Sequence, residues 1–132
     1  VGLNDLHLAL GLNFLFELLG DGLMEYITTK IKAKGIPFGI GGVARVDEGL
    51  LQGRSIILEH VRLGSERVIL SRAFRDGLTF DVPTIRNELK KLQDVVEEGK
   101  QASEAYLLEN KQTLKTIAKT IGLKIKAKPT HV

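Results

Sequence analysis

The sequence predicts an α/β fold, because short apolar runs bounded by glycine alternate with longer segments of helical periodicity. The apolar runs occupy residues 1–3, 36–40 and 67–71, and helical patterns separate and follow them. Strands separated by single helices pair in parallel through right-handed crossovers. We therefore expect about three parallel strands, arranged as in the C-terminal part of a (β/α)8 TIM barrel and followed by a helical extension.

The first run is interpreted as the end of a strand, after which Asn4-Asp5 opens a βα loop. Leucine and phenylalanine dominate residues 6–19 and predict a buried helix that ends before residue 22. An amphipathic helix is predicted over residues 23–34, with lysines near its C-terminus and Gly35 as its stop. The second strand, residues 36–40, has Pro37 near its beginning and leads through a glycine-rich loop into a helix that ends at Gly64.

After the third predicted strand, the sequence predicts helices and no further buried strand. Asp81-Val82-Pro83 predicts a helix start with proline in the first turn. We expect a break near Gly99, a second helix that ends at Gly122, and a short extended or frayed segment over the last ten residues. This divides the chain into βα units of a barrel in residues 1–76 and a helical extension with a basic C-terminal tail in residues 77–132.

Composition narrows the class of protein. A chain of 132 residues with 43% hydrophobic and 27% charged residues is typical of one soluble globular domain. Cysteine is absent, which excludes disulfides, thiol nucleophiles and thiolate metal sites and fits a cytoplasmic location. The longest apolar stretch is interrupted by Asn13 and Glu17 and is too short to cross a bilayer, so we expect no membrane partner.

The formal charge of +3 is unevenly distributed. From residue 110 onward the sequence has no acid and six lysines, namely Lys111, Lys115, Lys119, Lys124, Lys126 and Lys128. A nucleic-acid surface usually adds arginine or aromatic side chains for base stacking, and this tail has neither. A solvated helix face is therefore the favoured interpretation, and nucleic acid is not an expected partner.

Asp5 lies where a barrel places its catalytic groups, just beyond the carboxyl end of a strand. Its carboxylate suits Mg²⁺ or Mn²⁺, which keep several waters and need only one or two carboxylate ligands. The alternative is that Asn4 or Asp5 caps the following helix. The local sequence alone favours the cap.

An anion-binding site is predicted at the ends of the other two strands. Gly41 and Gly42 would let the backbone approach an anion, and Arg45 and Arg72 would supply guanidinium groups. The spacing matches neither a P-loop nor a dinucleotide fingerprint, so a tight turn at the glycines is an equal alternative. Ser71 has no neighbouring base that would make it a nucleophile.

His7 and His60 are further candidates for a functional site. His7 would either face the site or cap or pack the first helix. His60 follows Glu59 inside an apolar helical pattern without an HExxH partner, so we interpret Glu59, His60 and Arg62 as packing or ion-pair residues.

The run Gly2-Leu3-Asn4-Asp5-Leu6, followed by Leu10-Gly11, resembles the GPxDLxxxLG signature of the HpcH/HpaI aldolase and citrate lyase β-subunit superfamily. The resemblance covers residues 1–76. It implies that Asp5 is a ligand of a catalytic Mg²⁺ or Mn²⁺, which stabilises an enolate while a C–C bond of an oxo-acid or acyl substrate forms or breaks. Leu3-Asn4 replaces the proline and small residue of the aldolases, and the Asn-Asp pair is also similar to the NDLxQ run of phosphoenolpyruvate-utilising barrels.

The catalytic arginine and glutamate ligand of that superfamily come from earlier strands, to which no part of this sequence corresponds. We therefore expect a fragment of a divalent-metal-dependent lyase or aldolase, inactive alone and completed by further chain or by a second copy in a homo-oligomer. The alternative is a non-catalytic α/β module that oligomerises through the helices of residues 85–121 and binds an anion at its glycine-rich loop.

Overall fold

The computed structural model describes residues 1–127, in which seven helices and two strands form one packed body. The helices are α1 (Leu3–Ala9), α2 (Glu17–Gly20), α3 (Leu23–Ala33), α4 (Gly53–Leu63), α5 (Arg72–Arg75), α6 (Val82–Gln101) and α7 (Glu104–Ala127). The strands are β1 (Gly39–Val43) and β2 (Arg67–Leu70).

The predicted partial TIM barrel with about three strands is wrong. Helices account for 64% of the residues and strands for 8%, and the described chain contains a single sheet of two parallel strands. The first predicted strand is reduced to one parallel bridge between Gly2 and Gly41. It extends no further because the Gly2 carbonyl already accepts the first helical hydrogen bond, from the N–H of Leu6 at 3.2 Å.

Glycine allows the strands of the sheet to approach closely. β1 pairs with β2 in parallel, from Gly39 opposite Arg67 to Val43 opposite Leu70. A Cβ atom added to Gly39 would lie 2.7 Å from the Arg67 carbonyl oxygen. Side chains at this position would therefore push the two strands apart.

Several helix and strand boundaries in the structure differ from the predicted ones. The second strand begins at Gly39 rather than residue 36, and the helix predicted over residues 6–19 is divided into α1 and α2. The break between the long helices falls at Ala102-Ser103, not at Gly99, which is buried against Val61. The predicted stop at Gly122 and the extended segment after it are also wrong, because α7 continues to Ala127; residues 128–132 lie outside the described chain.

Other predictions are confirmed. α3 ends before Gly35, and α4 ends at Gly64, whose φ of 83° is the left-handed conformation that glycine adopts without a steric penalty. The start of α6 is capped by Asp81, whose carboxylate accepts hydrogen bonds from the N–H and hydroxyl of Thr84, both at 2.8 Å. The ends of α3 and α4 and the start of α6 could therefore be predicted from local sequence signals.

Helix α4 lies at the centre of the core. Ile56, Ile57 and Leu58 are all at least 98% buried, and the helix packs on β1, α3, α6 and α7. α7 is also joined to α4 by a hydrogen bond from the Asn110 side-chain amide to the Ser55 carbonyl, at 2.9 Å. The helical extension is consequently part of the same core as the βα units.

None of the helices within residues 1–127 has the length and apolar character that a membrane crossing requires.

We predict that Gly39→Ala lowers the free energy of unfolding by about 1–3 kcal/mol, because its Cβ would collide with the backbone of β2. Gly2→Ala is the matched control in the same sheet, since a Cβ there meets no atom within 4 Å. We expect it to change stability by less than about 0.5 kcal/mol. Urea unfolding of both variants tests this, and equal stabilities would contradict the close strand approach.

Candidate functional site at the carboxyl edge of the sheet

The carboxyl ends of the strands bring three chain segments to one edge of the sheet. Val43 and Leu70 are paired at the ends of β1 and β2, and the Ser71 N–H donates to the Val43 carbonyl at 2.9 Å. On the other side of β1, the bridge at Gly2 directs Asn4 and Asp5 to the same edge. Parallel pairing thus collects polar residues from distant parts of the sequence.

Asp5 is an exposed residue in the first turn of α1. Gly2 holds the N-cap position and no side chain caps the helix, so the alternative role of Asn4 or Asp5 as a cap is wrong. The ion pairs formed within residues 1–127 do not include Asp5. Asp5 is therefore an exposed aspartate without an ion-pair partner among these residues.

Arg45 has a structural contact at the edge. Its side chain is 15% exposed, and Nη1 donates to the Phe74 carbonyl oxygen at 3.2 Å. Nη2 lies 3.9 Å from a carboxylate oxygen of Glu48. Arg45 therefore joins the end of β1 to α5 rather than presenting a free guanidinium fork.

Gly41 and Gly42 lie inside β1 and not in a loop, contrary to the prediction. The Gly41 N–H donates to the Val1 carbonyl at 3.0 Å, so this donor is not available to an anion. A Cβ on Gly42 would lie 2.9 Å from the Ile69 carbonyl oxygen. Close strand packing therefore explains the glycine at position 42, whereas a Cβ at Gly41 would come no closer than 3.4 Å to Ile69.

Arg72 begins the short helix α5, which the sequence did not predict, and its side chain is exposed. Arg75 follows three residues later and therefore lies on the same side of the helix. Both arginines line a cavity of about 400 Å³ at the end of β2, together with Leu70, Phe74, Leu78, Phe80 and Ile85. The R-x-x-R spacing was the available sequence signal for Arg75.

A divalent metal would find an incomplete set of ligands at this edge. Within residues 1–127, no group of three or more histidine, cysteine, aspartate or glutamate side chains is positioned to hold an ion. His7 is buried within α1, and its Nδ1 lies 3.2 Å from the Leu3 carbonyl oxygen of the same helix. Asp5 therefore remains a single carboxylate.

Glu59 and Arg62 form an ion-pair network away from the edge, as predicted. Arg62 Nε donates to Glu59 at 2.7 Å, while Arg62 Nη1 and Lys111 Nζ donate to Glu25 at 2.8 and 2.9 Å. Hydrogen bonds from these two cations lower the pKa of Glu25 to about 2. Burial raises the pKa of Glu59, although its hydrogen bond with Arg62 opposes that shift. The network connects α3, α4 and α7.

His60 is buried beside this network. It is 2% exposed, and neither ring nitrogen has a hydrogen-bond partner among the described residues. Burial lowers the pKa of His60 to about 4, because the charged ring would lose its hydration. The ring is neutral at pH 7 and acts as a packing residue.

No protein-family model, no curated protein and no solved structure matches the chain. The resemblance of residues 1–76 to the aldolase and citrate lyase superfamily consequently stays a prediction.

We predict that the protein loses stability as the pH falls from 6.5 to 4. In this range the unfolded chain binds a proton at His60 and the folded chain does not, which costs the folded state up to about 3 kcal/mol at pH 4. Above pH 6.5 the His60 ring is mostly neutral in both the folded and the unfolded chain, so the folded state keeps its full stability. Urea unfolding at pH 7, 6, 5 and 4 measures it.

His60→Leu should be at least as stable as the parent protein at pH 7, and its stability should fall less between pH 6.5 and 4. His7→Gln is the control, because this second buried histidine should leave the His60 dependence in place. An unchanged pH profile in His60→Leu would contradict the prediction.

Proposed function

We propose that this chain supplies part of the active centre of a divalent-metal-dependent lyase or aldolase that forms or breaks a C–C bond of an oxo-acid or acyl substrate. The observation that carries the proposal is the parallel arrangement of the sheet, which brings Asp5 and Arg72 to one edge. Ligand sites of parallel α/β sheets lie outside the carboxyl ends of their strands. The reaction class is taken from the resemblance of the run around Asp5 to the signature of the aldolase and citrate lyase superfamily.

The distance across this edge is short enough for the head group of one substrate molecule to lie between the two sides. Gly2 and β2 flank β1, so they are separated by two strand spacings, or roughly 10 Å. An aspartate and an arginine side chain can span this distance with one small anion between them. In this arrangement Arg72 binds a carboxylate and Asp5 faces the oxo end of the same molecule.

The free carboxylate of Asp5 fits Mg²⁺ or Mn²⁺, which prefer hard oxygen ligands. One carboxylate does not hold such an ion alone, so oxygens of the substrate, water and a group outside the described residues would complete the set. When bound, the ion supplies Lewis-acid chemistry that polarises the oxo group. The role of this chain is to orient the substrate through Arg72 and to supply one anionic ligand through Asp5.

Oligomerisation through the long helices is not proposed as a second function, because α6 and α7 pack on α4 of the same chain, where Val95, Leu107 and Leu114 are at least 91% buried. Leu89, Leu108 and Ile117 on the same helices are 37%, 41% and 39% exposed. These exposed side chains are available to the homo-oligomer expected from the sequence. On β2, Ile69 is 71% exposed and Leu70 is 43% exposed, and a second copy that covers them would lie beside the site.

We predict that Mn²⁺ binds measurably only in the presence of an oxo-acid analogue such as oxalate, because Asp5 needs the chelating oxygens of the ligand. Isothermal titration of Mn²⁺ with and without oxalate measures this. Asp5→Asn should weaken the binding by roughly tenfold or more, since even residues outside the ligand set commonly contribute that much.

Asp94→Asn is the matched control, because Asp94 is an exposed aspartate on α6 whose ion-pair partner within residues 1–127 is Lys90. It should leave Mn²⁺ and oxalate binding unchanged. If Mn²⁺ binds Asp5→Asn as well as the parent protein, the metal-dependent function is wrong for this site.

A further inference from the structure

The cavity at the end of β2 has an apolar interior. Leu70, Phe74, Leu78, Phe80 and Ile85 line it, and its volume is about 400 Å³. Pockets for small molecules commonly have volumes of about 300–1,000 Å³ and combine apolar walls with a few polar groups. The cavity therefore has the size and lining of a ligand site.

Two guanidinium groups border this cavity. Arg72 and Arg75 are exposed, and the ion pairs formed within residues 1–127 include neither. Arginine binds a carboxylate through two parallel hydrogen bonds, which gives both affinity and orientation. An anion at this position would meet two positive charges.

The helix that carries the arginines is held in place by the sheet. Phe74, between them, is 4% exposed, and its carbonyl accepts the hydrogen bond from Arg45. The Ser71 N–H donates to Val43 at the end of β1. These contacts fix the arginines relative to the cavity, while Phe80, another of its lining residues, is 69% exposed.

We propose that this cavity binds the aliphatic chain of an oxo-acid whose carboxylate is held by Arg72 and Arg75. The inference deepens the proposed function and rests on it, because it identifies the substrate as an oxo-acid with an extended apolar chain rather than one as small as pyruvate. Apolar walls beside two cations match a ligand that has an anionic head and a hydrocarbon tail.

The experiment compares pyruvate, 2-oxohexanoate and 2-oxooctanoate by isothermal titration of the whole chain in the presence of EDTA. We expect affinity to rise with chain length, by roughly fourfold for each methylene that enters the cavity. Arg75→Gln should weaken binding of all three acids by roughly tenfold, since it removes a charged hydrogen-bond donor. Phe80→Ser should reduce the dependence of affinity on chain length.

The variants place substitutions at exposed positions, and urea unfolding checks that they retain parental stability. Arg67→Gln is the matched control, because Arg67 is an exposed arginine at the opposite end of β2. Equal affinities for the three acids, or affinities that Arg75→Gln and Phe80→Ser do not alter, would overturn the inference.

The design separates this inference from the proposed function. Without metal, Asp5→Asn should retain the dependence of oxo-acid affinity on chain length. If Asp5→Asn weakens Mn²⁺ binding but the affinity for oxo-acids does not depend on chain length, the inference is wrong and the proposed function stands. If the affinity for oxo-acids rises with chain length but Asp5→Asn binds Mn²⁺ as well as the parent protein, the proposed function is wrong and the cavity remains an oxo-acid site.

Discussion

The enclosure of helix α4 is the constraint on which the rest of the structure depends. Ile56, Ile57 and Leu58 are consecutive and buried, and successive residues of a helix project about 100° apart. A helix that is apolar on several sides needs neighbours on several sides. β1, α3, α6 and α7 supply them, so the long C-terminal helices fold back onto the body instead of extending away from it.

Polar residues inside this enclosure are tolerated for two different physical reasons. Glu59 is fully buried but accepts a hydrogen bond from Arg62, which offsets part of the cost of desolvating a carboxylate. His60 has no partner among the described residues and avoids the cost of a buried charge by staying neutral. Neither residue needs a catalytic role to explain its position.

The candidate site depends on strand direction and not on a closed barrel. Two parallel strands and one bridge are sufficient to bring Asp5 and Arg72 to the same edge, because parallel strands all end on the same side. The sequence predicted a site at this side because both residues closely follow apolar runs, and the site itself stays a prediction. It could not predict how Arg45 is used, because its partner Phe74 lies 29 residues away.

The sequence by itself determined the local features: the stops at Gly35 and Gly64, the helix start at Asp81-Val82-Pro83, the apolar runs that contain parts of β1 and β2, and the absence of cysteine. These depend on the conformational preferences of single residues and their immediate neighbours. Only the tertiary structure decided that Val1-Gly2 forms a single bridge, that Gly41 and Gly42 belong to a strand, and that α5 and Phe80 border a cavity. Such features arise from contacts between segments far apart in the chain, and periodicity within one segment carries no information about them.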